Sequence, residues 1–186
     1  MRDQDELDRI GRAFAAQPDP LRVFALLLSE ARRLTHTEAG TVYLRKGDQL
    51  HLAVVQNDVL ARRFGEDEVQ RRLRMEPLGL KESSIAGYVA LTRGSINIPD
   101  VYEIPLERPY AFDRRMDAKN GYRTRSMLAM PLRDGRGTVF GVLQLINASN
   151  DEGEVVPFDQ EREDLVAALL TYIARMPPAP KTGRPE

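Results

Sequence analysis

Cysteine is absent from this 186-residue chain, which excludes disulfides, thiolate metal ligands, thiol nucleophiles and thioether-linked cofactors together. Histidine is nearly absent. His36 falls in a helix-end loop and His51 in mid-strand, and neither belongs to a spaced cluster able to hold a metal or drive a nucleophile. No apolar run approaches the ~20 residues that a membrane span needs, and the opening MRDQDELDRI is too charged for a signal peptide. Charge of one sign is lacking too. The 27 Lys and Arg nearly balance the 28 Asp and Glu for a net charge of −1, which gives no bulk attraction to nucleic acid or anionic lipid. There is no internal repeat. These absences leave a cytoplasmic, soluble domain as the expectation, with no catalytic residue, no metal and no cofactor.

What is present is an ordinary globular composition, 42% hydrophobic and 30% charged, in a chain long enough for one self-sufficient core. Leu7, Ile10 and Phe14 recur at helical spacing and predict an N-terminal amphipathic helix within residues 1–17. Asp19 suits an N-cap, with Pro20 at the first helical position, for a second helix reaching Leu34. Thr41–Arg45 and Leu50–Val55 read as a hairpin turned at Lys46-Gly47-Asp48. The charged stretch from Asn57 to Glu82 reads as a solvated helix or mobile loop. Ser83 or Ser84 can cap a helix through Leu91, and Ser95–Ile98 is a short strand. A loop and short helix over 105–120 precede two long strands, Ser126–Leu132 and Thr138–Asn147, with Pro131 calling for an edge or bulge. A last helix after Phe158 carries Val166, Leu169, Leu170 and Ile173. The element order implies an α+β domain over 18–176, one mainly antiparallel sheet between helices. Pro177-Pro178 opens a flexible Pro-rich tail or linker over 177–186.

The stretch from Ser84 to Asn147 gathers small residues, turns and amide or hydroxyl side chains on what should be one concave face. That pattern suits a small-molecule pocket better than a catalytic centre. SSIAGYVALTRGSINIPDVYE, FDRRMDAKNGYRTRSMLAMPLRD and VFGVLQLINA resemble a GAF domain, most of all the regulatory GAF domains of cyclic-nucleotide phosphodiesterases and bacterial adenylate cyclases. The resemblance covers about Pro20 to Ile173. It implies a GAF-like six-stranded antiparallel sheet with helices on both faces, a dimer partner against one face and a ligand pocket on the other.

Carried over from that family's pocket, the expected ligand-binding residues are Thr41, Gln56, Asn57, Ile85, Ala86, Phe112, Asp113, Asn120, Thr124 and Gln144. Thr41 opens the hairpin, Gln56-Asn57 close its second strand, and Ile85 and Ala86 start the helix that faces a phosphate. Phe112 and Asp113 are placed in a lid helix. Ile85 and Phe112 read equally well as core, and Asn120 as a turn residue. Thr124 and Gln144 are inward polar groups that need partners. Six basic side chains between Arg108 and Arg125 face only Asp113 and Asp117; over a pocket they would favour an anion, and otherwise they pair with the acidic 150–154 loop or face solvent.

The sequence departs from the nucleotide-binding members where Asn147 is followed by Ala148 rather than Lys, and where Arg162 replaces an acid after Phe158. Gln56-Asn57 also stand where an aromatic-acid pair is the pattern. The motifs name the architecture and leave the ligand open. The function expected is a non-catalytic sensor domain that binds a small molecule, an anionic nucleotide among the options, and signals through a helical dimer face. The alternative is a ligand-free scaffold for dimerisation and protein contacts. Methionine-sulfoxide-reductase chemistry and bilin attachment both require cysteines this chain lacks. Signal output is expected either through a partner in trans or across a Pro-rich spacer.

Overall fold

The computed structural model describes residues 2–80 and 83–176. The Pro-rich tail expected from 177 onward lies outside the described residues. Helices α1 (Arg2–Ala16) and α2 (Pro20–Thr35) come first. The α2 start is set by Asp19, whose carboxylate accepts from the Leu21 N–H at 3.0 Å, and by Pro20, which needs no intrahelical acceptor. Strands β1 (Thr37–Lys46) and β2 (Gln49–Asn57) form the hairpin, and α3 (Asp58–Phe64), α4 (Glu66–Arg72) and β3 (Leu78–Gly79) follow. Next are α5 (Ile85–Thr92), β4 (Ile96–Ile98), a single 3-10 turn at Val101–Glu103 and α6 (Arg115–Asn120). Strands β5 (Met127–Arg133), β6 (Val139–Ser149) and β7 (Val155–Val156) and helix α7 (Gln160–Ala174) complete the chain.

The sheet runs β3-β2-β1-β6-β5-β4 with every pairing antiparallel, and β7 adds two pairs to the end of β6. It is the α+β sandwich the sequence implies. Both faces of the central strands are apolar, so each face needs its own cover. Val42, Leu128, Met130, Leu132, Leu143 and Leu145 point one way, into a core closed by α1, α2 and α7. Tyr43, Met127, Ala129, Val139 and Val142 point the other way, against α5 and the 101–112 segment. Period-two alternation assigns the residues of β5 and of 142–146 on β6 to their faces, and the register shift at Leu132/Arg133 brings Val139 onto the Val142 face. Pro131 lies on β5 beyond the reach of three-residue β4 and next to a register shift at Leu132/Arg133. There its missing N–H costs no sheet bond.

Four features differ from the sequence reading. The charged 58–72 stretch forms two short helices, because Asn57 and then Gly65 (φ 84°) restart the chain. Strands β3 and β7 are two-residue edges too brief to show an alternation. β1 begins at Thr37, four residues before the β-favouring run. Finally, the helical dimer face expected from the sequence is not offered by the Leu7/Ile10/Phe14 and Val166/Leu169/Ile173 stripes, which are all buried in this chain's own core, with Phe14 and Leu169 at 0% exposure. Among the described residues, no helix is long and apolar enough to cross a membrane.

Two glycines mark the tightest approaches. A Cβ on Gly141 would stand 2.3 Å from the Tyr43 carbonyl oxygen, inside the β1–β6 pair, whereas one on Gly11 would meet the Tyr172 ring at 2.1 Å. The first obstacle is sheet backbone and cannot move alone. The second is a side chain, and Ala also recovers about 1 kcal/mol of helix propensity. Gly141→Ala is expected to cost about 2–3 kcal/mol and lower Tm by roughly 4–12 °C, with Gly11→Ala costing less. Calorimetric melts compare them, and a larger loss at Gly11 would contradict this packing.

Candidate functional site

On the face away from α1, α2 and α7, the sheet is only partly covered, and a cavity of about 470 Å³ remains. Its floor comes from alternate residues of three strands. Thr41 and Tyr43 on β1, Val55 and Asn57 on β2, and Gln144 and Ile146 on β6 all border it. One wall is the start of α5, where the Ser84 hydroxyl accepts from the Gly87 N–H at 3.0 Å and so fixes the first turn. Ile85 and Ala86, 4% and 2% exposed, pack there. Opposite stand Leu60 and Met75, and α6 with the 111–113 segment closes the top.

The segment above the cavity is wired to the sheet by two carboxylates, Asp117 buried and Glu38 half-buried, that sequence reasoning did not single out as anchors. Asp117 accepts from the Thr124 hydroxyl and N–H, both at 2.8 Å, and from the Tyr102 hydroxyl at 2.9 Å. Tyr102 in turn lies between two guanidinium groups, Arg114 at 4.2 Å and Arg123 at 3.5 Å from its ring centre. Burial, then the Asp117 bond, pushes the Tyr102 phenol up. Glu38, on β1, accepts from the Tyr122 hydroxyl and from Asn147 Nδ2, each at 2.6 Å. Burial and then Glu38 drive the Tyr122 phenol far above its ordinary value. Asn147 has φ 59°, a left-handed conformation that Asn tolerates, and its Oδ1 accepts from the Arg125 N–H at 2.6 Å. The signal for these two centres was faint: Tyr102, Asp117, Tyr122 and Asn147 stand inside the motifs with nothing to pair them, and Glu38 stands outside every motif.

The ten expected site residues are placed unequally. Thr41 and Gln144 meet each other, Thr41 Oγ1 donating to Gln144 Oε1 at 3.3 Å, and the Gln144 amide nitrogen has no partner among the described residues. Asn57 borders the cavity but uses Oδ1 to cap α3 through the Leu60 N–H. Gln56 also borders the cavity, but its carboxamide turns to α2, where it bonds the Ala25 carbonyl, Ser29 and Arg32. Phe112 and Asp113 border the cavity yet precede α6 rather than lie within it. The Thr124 hydroxyl is already satisfied by Asp117. Asn120 is the exception. It is 4% exposed, its Nδ2 donates back to the Met116 carbonyl at 2.9 Å, and its Oδ1 is the one buried side-chain polar atom without a partner among the described residues.

The basic side chains of 108–125 are mostly spent locally. Arg123 grips Asp100 through both carboxylate oxygens at 2.8 Å, Arg114 donates to the Tyr102 carbonyl, and Arg125 reaches Asp100 at 3.8 Å. Only Arg115 borders the cavity among the described cations, and it is paired with Asp113 at 2.6 Å. Burial pushes the Tyr43 phenol up to about 12, so it stays neutral at physiological pH. No group of three or more potential metal ligands occurs among the described residues.

The GAF domain family model matches residues 19–175. Over 144 residues the chain is 32% identical to the cGMP-specific 3′,5′-cyclic phosphodiesterases of Drosophila melanogaster and Drosophila virilis, with 75% of this chain aligned. It spans only 12% and 15% of those proteins' lengths. Among solved structures, the GAF domain of an Acinetobacter phosphoenolpyruvate-protein phosphotransferase superimposes with a TM-score of 0.67 at 15% identity, covering 94% of this chain and 91% of that one. The free methionine-R-sulfoxide reductase of Neisseria meningitidis, solved with its substrate, gives 0.64 at 18% identity, covering 92% and 86%. These similarities to solved structures concern the fold alone.

Two outcomes follow from the wiring. Tyr122→Phe removes one of the two donors to Glu38, while Asn147 Nδ2 keeps Glu38 and the Arg123 carbonyl, and should cost about 1–3 kcal/mol in a denaturant melt; an unchanged midpoint would show the contact to be idle. At Asp100, burial resists ionisation, but Arg123 and the Tyr102 N–H outweigh it and hold the carboxyl below its ordinary 3.8. A depressed pKa stabilises above the unfolded value and is lost as pH falls through the folded one. The Tm gap between the unsubstituted protein and Asp100→Asn should therefore be constant above about pH 5 and close on further acidification. A gap that persists at pH 3 would refute the ion pair's role.

Proposed function

The chain belongs to the GAF domain family, and from that premise we propose that it is a non-catalytic sensor module whose cavity takes a small anionic nucleotide. The observation that carries this reading is Asn120 Oδ1, buried without a donor on the wall of a 470 Å³ cavity. A buried acceptor left unpaired costs about 1–3 kcal/mol, and a ligand N–H removes that cost. The cavity falls within the roughly 300–1,000 Å³ range of small-molecule sites, and its apolar floor carries a few placed polar groups. The first turn of α5, with Ile85 and Ala86 at the wall, supplies backbone N–H groups and the positive end of a helix for a phosphate. Arg115 adds a cation at the cavity, the one among the described residues.

The relatives point the same way, being named for a cyclic nucleotide, although this chain matches only a fraction of each. With no cysteine in the chain and no metal-ligand cluster among the described residues, the wall groups suit binding rather than bond-making. Ligand contact at Asn120 would tighten α6, and through Asp117 and Glu38 that change would reach β1 and β6. A homodimer remains part of the proposal, formed through faces other than the buried helical stripes, and with output to a partner protein.

Binding of a cyclic nucleotide at a hundredfold excess over Kd should stabilise the protein by about 2.7 kcal/mol in a thermal-shift series. Gln144→Leu is expected to weaken that binding at least tenfold while keeping the fold, since only Thr41 loses a partner. Thr124→Val is the poorer probe because it strands the Asp117 carboxylate. If no cyclic mononucleotide or dinucleotide shifts the melt, the scaffold reading replaces this one.

A further inference from the structure

Resting on the nucleotide reading, we infer that Arg115 receives the ligand's phosphate and that Asp113 is a built-in competitor for it. The competitor sets how strong an anion must be to take the guanidinium. Both side chains border the cavity, and with 89% of Arg115 and 51% of Asp113 exposed they stand at its open edge. Asp113 holds the guanidinium side-on. Its Oδ1 and Oδ2 accept from Arg115 Nε, each at 2.9 Å, and its Oδ2 accepts from Nη2 at 2.6 Å. The carboxylate thus fills a paired N–H edge of the kind that suits a phosphate.

Of the two partners, Arg115 is the one that can move. Asp113 Oδ1 also accepts from the Arg115 N–H at 3.0 Å, which fixes the turn into α6, where the N-cap residue Arg114 makes no side-chain capping bond. The carboxylate is therefore pinned by backbone. The guanidinium is held only by an exposed ion pair, which is weak and screened by salt. Its neighbours are more firmly placed. Arg114 lies on the Tyr102 ring and donates to the Tyr102 carbonyl, and Arg123 grips Asp100 with two bonds. The segment carrying the pair is tied beside the start of α5, since the Ala111 N–H donates to the carbonyl of Ser83, the residue before the α5 cap, at 2.7 Å. At rest the pair is neutral and adds no net attraction for anions. A phosphate that also meets the first-turn N–H groups of α5 outcompetes the carboxylate, whereas an uncharged ligand leaves Arg115 where it is. The pair acts as a charge filter.

The test is a calorimetric titration of the full chain at low ionic strength with cyclic AMP, cyclic GMP and cyclic di-GMP. The tightest of the three is then titrated into Asp113→Asn, Arg115→Gln and the double variant. Asn removes the competing charge and keeps the turn, because its Oδ1 still accepts from the Arg115 N–H. Asp113→Asn should bind about two- to fivefold more tightly, and Arg115→Gln more weakly by about the same factor or more. The gain from Asp113→Asn should vanish in the Arg115→Gln background and shrink with added salt. Equal or weaker binding by Asp113→Asn would overturn the inference and leave the nucleotide reading standing, since the phosphate would then not compete with Asp113. A gain that persists without Arg115 would overturn it as well, by making Asp113 a repelling charge alone. Binding of none of the three nucleotides to the unsubstituted protein would overturn both.

Discussion

Strands β1 and β6 carry large apolar side chains on both faces, and their backbones close to within a hydrogen at Gly141. Burying two faces requires two covers, and the chain has enough long helix for only one. Helices α1, α2 and α7 seal the Leu143/Leu145 side completely. The Val142/Gln144 side receives one eight-residue helix, an irregular segment and the six-residue α6. The shortfall is the cavity. Its position follows from the sheet, because any element thick enough to fill it would have to displace Thr41, Gln144 or the start of α5.

A short, irregular cover over a sheet is a region of low local stability unless something ties it down. Here the ties are electrostatic and run to the ends of the central strands. Asp117 collects Tyr102 and Thr124, while Glu38 collects Tyr122 and Asn147. Because charged hydrogen bonds are geometrically demanding, the cover has a defined closed position rather than a range of them. Asp100, Asp113 and the Tyr102 carbonyl take up most of the arginines between 108 and 125. What reaches the cavity is therefore a small and specific set of groups rather than a diffuse positive field. A ligand is met by amides, a hydroxyl and a helix start.

The sequence carried the α2 start, the hairpin, the Ser84 cap and the two long strands plainly, because each rests on local chemistry at fixed spacing. It carried the pocket face as well, since Thr41, Gln144, Ile85 and Ala86 border the cavity as expected. Gln56 borders the cavity too, but the partners of its carboxamide, Arg32 and Ser29 on α2, were not legible, because they depend on how α2 packs across the strand end. At Thr124 the need for a partner was legible, but the partner was not: Asp117 lies in the same motif, yet only the turn at Gly121 folds the two together. Glu38 and Asn147 lie 109 residues apart in the chain, and nothing local announces such a contact. The stripes on α1 and α7 showed that both helices have an apolar face; amphipathicity cannot say whether its cover is the same chain or another.

The central claim is that the cavity exists for a ligand that donates to Asn120. Nitrogen-detected NMR of the side-chain amides addresses it most directly, by following Asn120 and Gln144 while cyclic AMP is added. Both resonances should move together and saturate, with the Asn57 amide responding and the Gln56 amide, turned to α2, staying still. Saturating additions that leave Asn120 and Gln144 unmoved in a folded protein would contradict the account.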